Sequence, residues 1–469
     1  MSKAICLVSL MVASVAAPIT SVHADVREDV TKIMTAARAG DLDLALKTFE
    51  ASLKNHPKDA RLRSQATLLW SYLSRANRHE DAGRLVDEFL SWAVDNERYN
   101  VVPSAVSRLS TTRQKLNSTK QFQQTLRNYS ASLSKKENID AVSAWASMTV
   151  ILAKADVAEE RNDEAANRFQ PVVARARKLC IGHEEEPRYL RVLTSTLSDY
   201  ANLVTDNNQQ NELNAEAFKI LRQAIDKKVP QFESLLMPLA SKFQLQISQL
   251  SANNDFSGAE KLLAELNSVI ESLEQDVPIR KSLERTTASI ESRLAAARKH
   301  FELIGKRAFP LEVVSWVNGE PLADDDLRGK VVILDFWAVW CGPCIATFPH
   351  LREWHEKYAE KGLVIIGVTR YYNYGWDAEA KRASRQNAIS QSDEEKAMVE
   401  FAVHHELKHR FAIQPSGSEF SKLYGVRGIP QAVVIDREGK IRMIKVGSGS
   451  KNSDAIDELL AELFGNDAT

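Results

Sequence analysis

Cys341 and Cys344 are the residues of this chain whose type and spacing point most directly to chemistry. Two cysteines separated by two residues at a helix start form a redox pair, since the first sulfur faces solvent and the second lies within bonding distance. We therefore predict that Cys341 is the attacking thiol and Cys344 the resolving thiol. Unpaired amide donors and the helix dipole favour a thiolate at Cys341. The predicted redox group is the Cys341–Cys344 disulfide, with no added cofactor and no metal.

Two other uses of a close cysteine pair are a structural zinc site and a static disulfide. A zinc site needs a second pair of cysteine or histidine ligands, and the chain has no second closely spaced cysteine pair. A static disulfide is compatible with an oxidising compartment, but it does not explain Gly342, Pro343 or the acidic residue nearby. Redox chemistry is therefore the interpretation that residues 335–344 favour.

Asp335 follows VVIL, four apolar residues typical of a central strand that is covered on both faces. A buried carboxylate without a partner is costly unless it stays neutral. Burial should raise its pKa, so that it takes the proton of Cys344 when that thiol attacks a mixed disulfide and returns it in the reverse step. The alternative is a strand-end aspartate that caps a loop.

Strand and helix patterns alternate from residue 301 onward, as expected for an α/β domain. Predicted strands cover residues 311–317, 331–338, 363–369, 410–413, 431–436 and 441–447. Predicted helices cover residues 341–361, 394–409, 419–424 and 454–464. Residues 436–440 predict a tight hairpin turn in which Gly439 takes a positive φ, so the last two strands should be antiparallel neighbours.

Residues 303–466 resemble the thioredoxin superfamily, and within it the exported TlpA-type branch of thiol:disulfide oxidoreductases. The resemblance rests on WCGPC at 340–344, on Asp335 at the position of the buried acid, on Pro349 at the helix-kinking proline and on GVRGIPQAVVID at 425–436. It implies a thioredoxin-like fold in which Pro430 is the cis-proline of that family. It also implies a substrate-binding surface formed by Trp340, Gly342, Pro343, Ile429 and Pro430.

Some residues depart from the family pattern. Gln431 follows the proline where thioredoxins usually have threonine, and GLVIIGVT at 362–369 lacks the lysine that partners the buried acid. A long segment then follows, whose aromatic residues form either a recognition loop or a packed lid: Tyr371, Tyr372, Tyr374 and Trp376. The next predicted helix carries His404, His405 and His409, but no third metal ligand accompanies the pair one turn apart.

Residues 25–300 show apolar residues at helical spacing and very little glycine, which predicts an irregular α-helical array. Residues 40–53 superpose on residues 77–90 at an offset of 37, with Ala45 matching Ala82 and Phe49 matching Val86. This region resembles tetratricopeptide-type repeats, and its function is open between a docking surface for a protein partner and a spacer. Cys180 is expected to be a buried apolar residue without a chemical role.

The N-terminal residues 1–24 have a lysine, an apolar run and a small-residue ending, the parts of a secretory signal. The predicted organisation is therefore a signal peptide at 1–24, a helical domain at 25–300 and a thioredoxin-like domain at 301–469. Export places the protein in the periplasm or cell envelope. With 61 basic and 62 acidic residues, the chain offers no electrostatic basis for binding nucleic acid.

The predicted function is thiol:disulfide exchange with protein clients, in the direction of reduction. Gly342 and Pro343 match thioredoxin, whose potential of about −270 mV is strongly reducing. An exported reductase needs electrons from a membrane donor. The alternative is an envelope adaptor in which the helical array binds a partner and the thioredoxin-like domain is a binding module.

Overall fold

The computed structural model describes residues 19–56 and 59–465, and the chain divides into two compact units, Met1–Lys242 and Phe243–Thr469. Most of the predicted signal segment, residues 1–18, lies outside the described residues. The predicted boundary at residues 300 and 301 falls within the second unit, which holds two complete helices before the α/β elements. That boundary stays a prediction.

The first unit is helical, as the glycine-poor sequence predicts. Its helices are α1 (Ile19–Arg38), α2 (Leu42–Asn55), α3 (Ala60–Arg75), α4 (His79–Asp95), α5 (Val102–Lys115), α6 (Thr119–Leu133), α7 (Ile139–Ala158), α8 (Asn162–Cys180), α9 (Pro187–Ala201) and α10 (Asn207–Asp226). α11 (Glu233–Ala252) contains the division between the units. The side chains of Asp59 and Asn138 cap α3 and α7, because they accept hydrogen bonds from backbone amides that have no partner within the helix.

The residues matched between 40–53 and 77–90 lie on α2 and α4 and face the core. Ala45, Ala82 and Val86 are fully buried, and Phe49 is almost so. Small residues at matched positions let neighbouring helices approach closely, while the larger ones fill the space between them. Within the described residues, α7 is long and apolar enough to cross a membrane by length and composition, and half of its most apolar 18-residue stretch is buried inside the structure.

The second unit begins with α12 (Phe256–Glu271) and α13 (Arg280–Leu303) and continues as an α/β fold. Its strands are β1 (Ser315–Val317), β2 (Val331–Phe336), β3 (Leu363–Thr369), β4 (Tyr374–Asp377), β5 (Arg382–Arg385), β6 (Arg410–Ile413), β7 (Gln431–Ile435) and β8 (Ile441–Val446). Its later helices are α14 (Gly342–Ile345), α15 (Phe348–Tyr358), α16 (Gln391–His404), α17 (Phe420–Leu423) and α18 (Ser450–Gly465).

A six-stranded mixed sheet organises this fold, in the order β1-β6-β3-β2-β7-β8. β2 lies inside the sheet, parallel to β3 and antiparallel to β7, and all six of its residues are buried. Val331 and Ile333 pack into one hydrophobic layer, whereas Val332 and Leu334 pack into the other, as alternation along a strand requires. The predicted combination of a helical region and a thioredoxin-like α/β domain is confirmed.

The six predicted strands are present, and the turn at 436–440 joins antiparallel β7 and β8 with Gly439 at φ 74°. The sequence did not predict the separate two-stranded sheet of β4 and β5. The predicted helix 341–361 is interrupted and forms α14 and α15. Pro349 lies in the first turn of α15, where it has no amide hydrogen to extend the preceding turn.

The histidines predicted to share one helix do not do so. α16 ends at His404, because Glu406 takes a positive φ of 56° and turns the chain away. His409 lies outside the helix, immediately before β6, and is 5% exposed. Burial lowers the pKa of His409 to about 3.

Candidate functional site

Cys341 and Cys344 form a disulfide at the turn between β2 and α14. Cys341 is the residue that caps α14, and the backbone amide of Cys344 donates to its sulfur over 3.2 Å. A donor in this position stabilises negative charge on Cys341 once the disulfide opens. Cys344 is fully buried.

The expectation that Cys341 faces solvent is wrong for the disulfide form, because the residue is only 3% exposed. It belongs to the hydrophobic cluster on the α15 face of the sheet. The neighbouring residues are more accessible: Trp340 is 46% exposed, and Gly342 and Pro343 are exposed. The surface over the disulfide is therefore formed by Trp340, Gly342 and Pro343, and not by Cys341 itself.

Asp335 lies in the middle of the sheet, opposite Gly367 of β3 and Ala432 of β7. It is 2% exposed, and its buried Oδ2 atom has no hydrogen-bond partner. Burial raises the pKa of Asp335 to about 7, because the ionised form loses its hydration. The alternative of a loop-capping aspartate does not fit this position, since the side chain caps no backbone amide.

A small cavity of about 30 Å³ adjoins Asp335. Its other lining residues include Thr347, His350, Pro430 and Lys445. A space of this size between polar groups is enough for about one water molecule. Thr347, two residues after the end of α14, donates to the carbonyl oxygen of Cys344 over 2.7 Å and so links the cysteine turn to this cavity.

The Ile429–Pro430 peptide bond is cis, as the resemblance to thioredoxin predicts. The carbonyl oxygen of Pro430 accepts the amide of Gly447 over 2.8 Å, and Ile429 packs against the hydrophobic cluster that contains both cysteines. Gln431 is fully buried and donates to the carbonyl oxygen of Tyr424 over 3.0 Å. The structure thus brings the predicted proline segment to the cysteines and Asp335.

Gly367 provides the space for a tryptophan beside this centre. A Cβ atom on Gly367 would lie 2.6 Å from Nε1 of Trp337 and 2.8 Å from the ring of Phe411. Trp337 is 2% exposed and is the first residue after β2. The glycine in β3 therefore allows the close packing that holds the end of β2.

The aromatic segment after β3 packs beside the disulfide, and the sequence did not reveal what holds it. Glu394 is 2% exposed, and its carboxylate accepts the backbone amides of Tyr372, Asn373 and Tyr374 over 2.7, 3.1 and 3.1 Å. The sequence predicted a helix that begins at Glu394 and gave no sign of this contact. Tyr374 and Trp376 pack against the core, as a packed lid would.

The structure also describes Cys180 and the side chains that could bind a metal ion. Cys180 is 6% exposed, and burial raises the pKa of its thiol to about 11, so the prediction that it is a buried residue is confirmed. Among the residues that the structure describes, no three His, Cys, Asp or Glu side chains are arranged to hold a metal ion.

Comparisons with known proteins agree with this geometry. The Redoxin family matches residues 311–460. The thiol-disulfide oxidoreductase ResA of Bacillus thuringiensis subsp. konkukian is 32% identical over 160 residues, 34% of this chain and 78% of ResA. Protein DipZ of Mycobacterium bovis is 28% identical over 159 residues, which cover 33% of this chain and 20% of DipZ.

Solved structures similar to the chain include a putative thiol:disulfide interchange protein DsbE from Chlorobium tepidum. It is 31% identical, with a TM-score of 0.26, and the alignment covers 34% of this chain and 97% of that one. A thiol-disulfide isomerase from Corynebacterium glutamicum is 24% identical, with a TM-score of 0.27, over 34% of this chain and 95% of its own. Because ResA is matched over most of its length, the chain belongs through its C-terminal third to the ResA family and is a thioredoxin-like thiol:disulfide oxidoreductase.

Proposed function

We propose that this oxidoreductase reduces disulfides in protein clients outside the cytoplasm. The observation that carries the proposal is a Cys341–Cys344 disulfide at the turn that follows β2, the strand whose buried carboxylate, Asp335, has an Oδ2 atom without a partner. A carboxyl group with a pKa of about 7 is suited to exchange a proton at neutral pH. The Gly342-Pro343 pair supports the reducing direction.

In the proposed reaction, the thiolate of reduced Cys341 attacks one sulfur of a client disulfide. A bond forms between Cys341 and that sulfur, and the other client sulfur leaves as a thiolate. Cys344 then gives its proton to Asp335 and attacks Cys341, which closes the internal disulfide and releases the second client thiolate. Two electrons have passed to the client, and a dithiol donor, proposed to be a membrane protein, restores the reduced form.

The client-binding surface in this proposal consists of Trp340, Gly342, Pro343, Ile429 and Pro430. The exposed residues of this set surround the nearly buried Cys341. Ile429 packs against the hydrophobic cluster that contains both cysteines, and in this proposal an extended client segment pairs with the backbone there.

Trapping of the mixed disulfide tests this proposal. In a Cys344→Ser variant of the full chain, the closing attack is removed, so clients should remain bound to Cys341 and be identified by mass spectrometry. The matched control is Cys180→Ser, which removes a buried thiol of the helical unit and should trap nothing. Recovery of no client on Cys341 from a cell-envelope extract would contradict the proposal.

Export is part of the proposal and rests on the N-terminal sequence pattern of residues 1–24. Mass spectrometry of the protein purified from its native envelope should find a mature chain that begins at Asp25. A chain that retains residues 1–24 and fractionates with the cytoplasm would contradict it.

A second candidate function is an adaptor whose helical unit holds a protein partner. A cavity of about 570 Å³ in this unit favours it, with a polar lining that includes Asp140, Arg188, Arg191, Asp199, Ser241 and Lys242. Expressing variants in a strain that lacks the protein distinguishes the two functions. A Cys341→Ser variant should fail if exchange is the function and succeed if the protein is an adaptor, whereas Arg191→Glu should show the reverse.

A further inference from the structure

The segment between β3 and α16, residues 370–390, packs against the hydrophobic cluster that contains both cysteines, and we call this segment the wall. Three consecutive backbone amides, from Tyr372 to Tyr374, donate to the buried carboxylate of Glu394, and the hydroxyl of Tyr371 donates to Glu395 over 2.5 Å. A carboxylate that accepts several amides holds a loop in one conformation. The start of this segment is therefore fixed by α16.

This wall contacts the active-site loop through aromatic rings. Tyr372 meets Trp340 edge to face at 5.4 Å, and Trp340 directly precedes Cys341. The guanidinium group of Arg370 lies 4.9 Å from the ring centre of Tyr372. Arg370 is exposed, and no carboxylate lies within ion-pair distance of it among the described residues. A stacked guanidinium group without an ionic partner is available to an incoming acidic group.

Four segments meet around the disulfide and Asp335: the active-site loop at 337–350, the start of the wall at 370–376, the proline segment at 425–431 and the end of β8 with the start of α18 at 445–452. They are connected by the Tyr372–Trp340 contact, by the bond from Gly447 to Pro430, and by a cavity shared by Asp335 and Pro430. In the proposed reaction, a client reaches Cys341 past the side chains of these segments.

These four segments contain no aspartate and no glutamate, but they contain Arg370, Arg427, Lys445 and Lys451. Arg370, Arg427 and Lys451 are exposed, and we call these three the basic rim. Three carboxylates meet these segments, of which Asp335 and Glu394 are buried and Glu395 is half-buried and accepts the hydroxyl of Tyr371. The exposed charges of the four segments are therefore positive, whereas the whole chain has a formal charge of −1. A one-sided set of charges around a site attracts partners of opposite sign and repels those of the same sign.

We propose that the basic rim selects client segments in which acidic side chains flank the disulfide to be reduced. Arg370, held over Tyr372, contacts an acidic residue on one side of the client cystine, and Arg427 contacts one on the other side. Trp340 and Tyr372 pack against the client residues between them. This inference rests on the proposed reductase function and names the substrate class of the same site.

The test uses the reduced full-length protein and two peptides, each with one disulfide, that differ only in having glutamate or lysine beside the cystine. Single-turnover rates are measured by acid quench and mass spectrometry. The acidic peptide should react about tenfold faster at low ionic strength, and the difference should shrink in 1 M salt, where screening acts over about 3 Å. Arg370→Glu should reduce or reverse the preference.

The matched control is Arg382→Glu, the same charge change at an exposed position of β5 between β3 and α16, which should keep the preference. Equal rates for the two peptides in the wild-type protein would overturn the inference and leave the proposed function standing. Preference that survives Arg370→Glu and Arg427→Glu together would also overturn it. Failure to reduce either peptide would overturn the proposed function and the inference together.

Discussion

The two units bury an aspartate in opposite ways. In the helical unit, Asp156 is 1% exposed and contacts both Arg161 and Arg168. Burial acts to raise its pKa, but the hydrogen bonds from Arg168 and Arg161 outweigh it and lower the pKa. In the α/β unit, burial raises the pKa of Asp335 to about 7 without any such compensation. A paired buried charge supports structure, whereas an unpaired one keeps an exchangeable proton near neutral pH.

The largest expected effect is on stability at alkaline pH. Asp335→Asn should stabilise the second unit above pH 7 by up to about 4 kcal/mol, since the carboxyl pKa rises from 3.8 to about 7 on folding. Below the unfolded pKa the carboxyl is protonated in both states, so this gain should disappear near pH 4. Urea unfolding followed by tryptophan fluorescence at pH 4 and pH 8 measures the difference. A stability difference that does not change with pH would refute the assignment of this pKa.

The same substitution should slow the chemistry. Asp335→Asn is expected to reduce the rate of disulfide closure about 100-fold at pH 7, because asparagine does not accept the proton of Cys344. Rapid-quench analysis should show the mixed disulfide accumulating. Asp156→Asn makes an identical side-chain change in the helical unit and should leave the rate unchanged. Equal closure rates in wild type and Asp335→Asn would exclude the proton-transfer role.

Replacing one glycine in each unit by alanine compares how closely the two units are packed at those positions. Gly367→Ala should destabilise the second unit by about 2 kcal/mol, because its Cβ would lie 2.6 Å from Trp337 Nε1. Gly83→Ala, in α4, meets no atom closer than 3.5 Å and should stabilise the first unit by about 0.5 to 1 kcal/mol. Urea titrations of both variants measure these changes. A stable Gly367→Ala protein would show that β3 and Trp337 can separate without cost.

The smallest effect is expected at the paired aspartate. Asp156→Asn should destabilise the first unit by about 1 kcal/mol at pH 7, because both arginines stay partly exposed and can turn to water. The lowered pKa means that the stabilisation is present above the unfolded value of 3.8 and is lost as the pH falls through the folded value. The difference in stability between wild type and Asp156→Asn, measured from unfolding curves, should therefore be smaller at pH 3 than at pH 7. A gain in stability at pH 7 would show that Asp156 resembles Asp335.

The parts of the site that the sequence predicted are those set by local pattern. The apolar run before Asp335 indicated a buried central strand, and the cysteine spacing placed the disulfide at the turn that follows. The strands β4 and β5 were missed because their residues are at most half-buried and show no clear alternation. Their position depends on the contact with Glu394, which is distant in sequence. The helix predicted through His409 ends at His404 instead. Glu406, two residues later, takes a positive φ that no local sequence pattern revealed.

The burial of Cys341 in the disulfide form determines which reductants can act on it. Exchange requires a thiolate to reach one sulfur in line with the sulfur–sulfur bond. Cys341 is 3% exposed and Cys344 is fully buried, so we expect small thiols in solution, such as glutathione, to react slowly with either sulfur. We expect reduction to need a macromolecule that docks and displaces the residues around Cys341. We therefore expect the general thiol pool to reduce the oxidised protein slowly and a docking donor to reduce it quickly.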